Sequence, residues 1–87
     1  MEITTKKEKY KYVVRLKWPA SCISNKFGTS NQDAAIGYFR KLIARRDLRG
    51  EKVTAEFRVD GRCRYSHNFM ASPGEADYID PDADLKL

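Results

Sequence analysis

The residues whose types permit bond-breaking chemistry sit in one stretch: Arg62, Cys63, Arg64, Tyr65 and His67. A cation holding a phosphate beside a histidine or tyrosine acting as acid or base would make a small metal-independent ribonuclease. Alternation works against it. On an extended strand Arg62 and Arg64 face one way while Tyr65 and His67 face the other, so the cation and the proton carrier do not share a site. His67 is the only histidine, and Cys63 lies too far along the same strand to form a Cys-His set with it. A partly buried structural role for His67 is the better expectation.

Metal chemistry is no better supported. Asp80, Asp82 and Asp84 alternate like the opening of a calcium loop, but the glycine and the distal bidentate glutamate of such a loop are missing. Cys22 and Cys63 have no Cys or His neighbour at ligand spacing, and two reduced thiols are expected. These residues describe a protein that is not an enzyme and uses no metal or cofactor.

Charge is the remaining chemical resource. The formal net charge of +5 hides a division: residues 1–72 hold 16 Lys or Arg against 7 Asp or Glu, and residues 73–87 hold one Lys against five acids. The expected organisation is a single basic domain over 1–72, with a flexible charged lead-in at 1–9, followed by an acidic C-terminal tail at 73–87 that can fold back on the body or keep it soluble. At 87 residues the chain buries a small fraction of its surface, so a homodimer or a bound partner would add stability. It has no apolar run of membrane-spanning length and no signal-peptide core after its first lysines, which points to a cytoplasmic protein with no membrane partner.

Three strands and a helix must position these charges. Tyr10, Tyr12, Val14, Leu16 and Trp18 alternate with Lys11, Val13, Arg15 and Lys17, the pattern of a half-buried strand that Pro19 ends. Residues 20–29 lack periodicity and contain Gly28, and they read as a connection. Ser30-Asn31-Gln32-Asp33 resembles a capping box, with a helix starting at Asn31. Its buried stripe is Ala35, Ile36, Phe39, Leu42 and Ile43, and Gly50 is the expected stop. Two further strands, 52–58 and 62–69, flank Asp60-Gly61. A three-residue loop Val59-Asp60-Gly61 brings the apolar faces into agreement, pairing Phe57 with Cys63, Ala55 with Tyr65 and Val53 with His67.

The fold class is therefore α+β: a two-layer β-α-β-β domain with one helix on a small, mainly antiparallel three-stranded sheet. The first strand pairs either with the third, making all neighbours antiparallel, or with the second across a parallel crossover. The third strand is favoured as the central one. The tail at 73–87 is expected to be extended, with Tyr78 and Ile79 able to dock.

With the helix covering the aromatic side, the open face presents Lys11, Arg15, Lys17, Lys52, Arg58, Arg62 and Arg64 against Glu56. Such a field attracts polyanions and accelerates their arrival. Arg40, Lys41 and Arg45 form a second basic cluster on the helix, together with Arg46 and Arg49. The leading function is a non-enzymatic binding module for a nucleic-acid backbone, without sequence specificity, or for the acidic surface of a protein that handles nucleic acid. The alternative is an inhibitor or adaptor, of the kind mobile elements carry, acting through protein contacts alone. Because the aromatics are assigned to the covered side, base stacking is not expected on this face.

Overall fold

The computed structural model describes residues 10–85, so the lead-in expected at 1–9 lies outside the described residues. β1 (Tyr12–Lys17) follows the alternation in the sequence, with Tyr12, Val14 and Leu16 in the core. After Pro19 the chain does not run loosely to the helix. It makes a tight turn at Pro19–Ser21, with Ala20 and Ser21 at positive φ, and returns as β2 (Ile23–Thr29), antiparallel to β1.

The connection expected at 20–29 is thus a fourth strand, and the order is ββαββ rather than β-α-β-β. A bulge hides it from the sequence. Val14 pairs with Phe27 but Leu16 pairs with Ser24, so β2 carries one extra residue where Asn25 takes φ 51. That residue reverses the side-chain parity. Ile23 and Phe27, which simple alternation would put on one side, end on opposite faces.

α1 (Gln32–Ile43) is capped by Asn31 rather than Ser30: the Asn31 side chain accepts the Ala34 N–H at 2.9 Å. The helix ends at Ile43, well short of Gly50. A 3₁₀ turn, Arg46–Leu48, follows, and Gly50, at φ 82, donates its N–H to Phe69 O. Ala35, Phe39, Leu42 and Ile43 form the buried stripe, and Ile36 packs on the core half-buried.

β3 (Thr54–Val59) and β4 (Arg62–Asn68) complete an antiparallel sheet of order β2-β1-β3-β4. The strand expected at the centre is the edge strand β4; β1 and β3 are central and antiparallel, because β2 reverses the chain once before the helix. The hairpin also differs from the expected register. Asp60 and Gly61, at φ 52 and 80, make the two-residue turn, so Val59 pairs with Arg62 and Arg58 with Cys63. Arg64 is then an extra residue of β4, after which Phe57 pairs with Tyr65 and Ala55 with His67. The bulge restores the apolar parity that a two-residue turn alone would spoil.

The core centres on Phe57, whose ring meets Tyr12, Phe39 and Tyr65 edge to face. The helix packs on β1, β2 and β3. The inner side of β4 is closed by the C-terminal segment instead: Ile79 packs on the core, Leu85 is buried in it, and the Tyr78 ring lies 5.0 Å from that of His67. The Asn68 N–H donates to Asp77 O, and Arg40 donates to Ala83 O at 2.8 Å. Tyr78 and Ile79 dock, and they do so on the covered side of the sheet. Each apolar side chain buried there contributes up to about 2 kcal/mol.

Candidate functional site

The open face begins with backbone parity. Val13, Arg15 and Lys17 of β1 stand opposite Arg58, Glu56 and Thr54 of β3, and Glu56 stands opposite Ser66 of β4. This middle row holds an ion network. Arg15 Nε donates to Glu56 Oε1 at 2.8 Å, Arg58 Nη1 lies 3.9 Å from the same oxygen, and Arg58 Nη2 donates to Gly61 O at 2.6 Å. Both arginines are largely shielded, which strengthens the pairing relative to a surface ion pair. Their stems cross the centre of the sheet beside Val13, which is only 2% exposed although it faces away from the helix.

Next to this row the face opens into a groove of about 460 Å³ at the end of the sheet where β1 stops and β3 starts. Lys17 and Lys52 stand on its rim, Trp18, Pro19, Val53 and Met70 give it apolar walls, and Thr54, Ser66 and Asn68 line it with polar groups. Trp18 is fixed in place by a 2.7 Å hydrogen bond from its Nε1 to Ser24 Oγ.

Of the candidate binding residues, the structure brings Arg15, Lys17, Lys52 and Arg58 together. Others are dispersed. Lys11 sits at the end of the sheet with its Nζ 5.7 Å from the Tyr12 ring centre. Arg62 pairs with Val59, itself opposite Tyr12, and so takes the parity of the covered side; Arg64 occupies the bulge. The expected pair of Glu56 with Arg64 and the expected clash of Arg58 with Arg62 are both replaced: Glu56 holds Arg15 and Arg58, and Arg58 stands across from Cys63.

The helix cluster is likewise divided. Arg40 is spent on the tail, with its Nε buried and unpartnered. Arg45 chelates Asp47 at 2.6 and 3.1 Å, a hydrogen-bonded pair that raises the guanidinium pKa and lowers that of the carboxyl. Lys41 stays exposed on the helix, in the layer behind the sheet.

The nucleophile and base candidates are placed apart. Cys63, expected to point inward, is exposed on the open face. Partial burial raises its pKa, with the Glu56 charge adding to the effect against Arg58, Arg15 and Lys17, so its thiol stays protonated at neutral pH. His67 is only 2% exposed on the other side of the sheet, where its Nδ1 accepts the Ile79 N–H at 3.0 Å. Burial lowers its pKa. Among the described residues no group of His, Cys, Asp or Glu is arranged to hold a metal, and no helix is long and apolar enough to cross a membrane.

Comparison with protein-family models, curated proteins and solved structures finds no match. The reading of the site therefore rests on its own geometry.

Sequence reasoning overlooks Tyr10. Gly28 stands opposite Val13 on the open side, and a Cβ there would run into the Tyr10 ring, so that ring lies across β2 on the open face rather than under the helix. It is 41% exposed. A glycine where the chain passes close to an aromatic was the available signal. Trp18, assigned to the covered side, packs on the core there and bonds Ser24, the partner of Leu16, and it also borders the end of the groove.

Proposed function

We propose that this chain is a small non-enzymatic binding module whose open sheet face takes up the phosphate backbone of a nucleic acid. The observation that carries this reading is the row Arg15, Lys17, Arg58 with Lys52 at its end, concentrated on one side of the sheet with Glu56 as the carboxylate between the arginines. Glu56 holds the two guanidiniums in fixed positions, which lowers the entropy lost when a phosphate meets the cationic row. Lys17 and Lys52 are exposed ammoniums that can follow the backbone into the groove.

Binding of this kind releases condensed counterions, so its signature is a steep salt dependence with little sequence preference. The test is fluorescence anisotropy of labelled oligonucleotides across a salt series. Lys17→Ala with Lys52→Ala is expected to weaken binding for every sequence alike and to flatten the log–log salt slope by roughly 2. An affinity indifferent to salt and to both substitutions would overturn the reading.

A further inference from the structure

The structure assigns a second anion site to this chain, on the covered side and independent of the open face: a small cavity that takes one phosphoryl group, either free phosphate or the end of a small phosphomonoester. The cavity holds about 130 Å³ between the end of α1, the turn that follows it, β4 and the docked tail. Its lining is of one sign. Arg45, Arg46, Arg49 and His67 stand in the wall and, among the described residues, no Asp or Glu does, although the tail that closes the cavity is rich in acids.

The turn after α1 aims the cations. Leu48 is buried in the core, the Arg49 N–H returns to Arg46 O at 3.2 Å, and the Gly50 N–H bonds Phe69 O at 2.9 Å, so the segment is pinned around Leu48. Arg46 and Arg49 are one 3₁₀ turn apart, a spacing that brings two side chains to the same side. Arginines at the end of a helix ordinarily serve its dipole, but that influence fades within the last turn, and these two lie beyond the helix end at Ile43. Arg45 has both Nε and Nη2 committed to Asp47, whereas Arg46 and Arg49 have no carboxylate partner among the described residues.

A third donor comes from the sheet. His67 Nδ1 accepts the Ile79 N–H, so the neutral ring carries its proton on Nε2. Phe69 and Tyr78 pack on that ring and fix it, with centroids 4.7 and 5.0 Å away, and no described residue accepts from Nε2. A donor on so deeply buried a side chain is costly to leave unsatisfied, and an anion in the cavity supplies its acceptor. Size then limits the ligand. Sites that enclose whole small molecules hold roughly 300–1,000 Å³, so this one takes a single group and leaves any remainder outside. Its donors arrive from the turn and from the sheet, which suits a tetrahedral oxyanion better than a planar carboxylate. Bound there, the phosphoryl group bridges the turn after α1 to β4 and holds the tail strap down.

His67 is the only histidine, so its ring Nε2–H resonance is an unambiguous reporter. The full chain is titrated at neutral pH and fixed ionic strength with inorganic phosphate, glycerol phosphate and acetate, followed by that resonance and by calorimetry. Inorganic phosphate is expected to saturate and to move the resonance. Glycerol phosphate of equal affinity would identify a phosphomonoester end as the ligand, and a clearly weaker one the free ion; either supports the site. Acetate is expected to bind at least tenfold more weakly than phosphate. Arg46→Gln and Arg49→Gln, both at exposed positions, are each expected to weaken phosphate roughly ten- to hundredfold, the loss of one charged hydrogen bond. Lys17→Ala with Lys52→Ala should leave it unchanged. A resonance that stays still, a phosphate affinity untouched by both arginine substitutions, or acetate binding as tightly as phosphate would overturn the site. None of these results bears on the open face, which the oligonucleotide salt series tests separately.

Discussion

On the covered side of the sheet Phe57 meets Tyr12, Phe39 and Tyr65 through ring edges, while on the open side its neighbour Glu56 holds Arg15 and Arg58 through ions. The two sets lie back to back across one layer of backbone. The first is held by area removed from water, which is cumulative and insensitive to salt. The second gains little net stability, because pairing charges repays the cost of desolvating them and not much more. Substitutions behind the sheet should therefore change stability and leave binding intact, and substitutions on the open side should do the reverse.

The largest break in that comparison is expected from the tail. Leu85 lies in an acidic segment, yet it is buried in the core, against which Ile79 also packs. Leu85→Ala is expected to cost about 2–3 kcal/mol, read as a lower urea midpoint, with the oligonucleotide affinity of the folded protein unchanged. A variant that keeps its midpoint but binds polyanions differently would show that the tail belongs with the open face. The structure gives the reason to expect otherwise: Tyr78 and Ile79 sit on His67 of β4 and Leu85 is in the core, on the opposite side of the sheet from Lys17 and Lys52.

Strand periodicity carried much of this architecture. β1, the stripe of α1 and the apolar parity of β3 are legible because alternation and helical spacing run unbroken there. Legibility stops at the two bulges. The extra residue at Asn25 turns Ile23 and Phe27 to opposite faces, and β2 then looks aperiodic. The extra residue at Arg64 lets a two-residue turn coexist with correct faces, so a register argument based on strict alternation chose the wrong loop and put Cys63 inside. The same breaks decide which cations gather: Arg15, Lys17 and Arg58 are placed by the unbroken β1–β3 register and end where alternation puts them, while Arg62 beside the turn and Arg64 in the bulge do not. The tail was legible only as Tyr78 and Ile79, since Leu85 stands alone among acids and carries no period at all.

Glu56 offers an intermediate test, since it is the point where the open side trades stability against binding. Glu56→Gln keeps an oxygen for the Arg15 Nε–H but removes the charge shared with Arg58. A loss of about 1 kcal/mol is expected in denaturant melts, the charge-assisted part of the hydrogen bond. Affinity for oligonucleotides should rise a few-fold at low salt and converge with the parent at high salt, as the added positive field is screened. If Glu56→Gln instead weakens binding, the carboxylate's role in holding the two guanidiniums outweighs its charge, and the face works by geometry before it works by field.

The smallest effect belongs to His67, and it probes whether the covered side contains any charge-sensitive point. Its Nδ1 accepts the Ile79 N–H, which it can do only while that nitrogen is unprotonated, and burial holds its pKa below the ordinary imidazole value. The unfolded chain takes up the proton first as pH falls. Stability from this group is thus fully present above about pH 6.5, the ordinary value, and declines below it until the folded form also protonates. The expected sequence is local before global: acidification loosens the hydrogen bond to Ile79, and with it the strap over β4, while α1 on β1 and β3 stays intact. Amide hydrogen exchange should show Ile79 losing protection at mildly acidic pH before Val14 or Phe57 does. His67→Asn retains an acceptor near the Nδ1 position without a titratable proton, and it should flatten the response. An identical pH dependence in the variant would assign the acid sensitivity to carboxylates elsewhere and leave the covered side governed by packing alone.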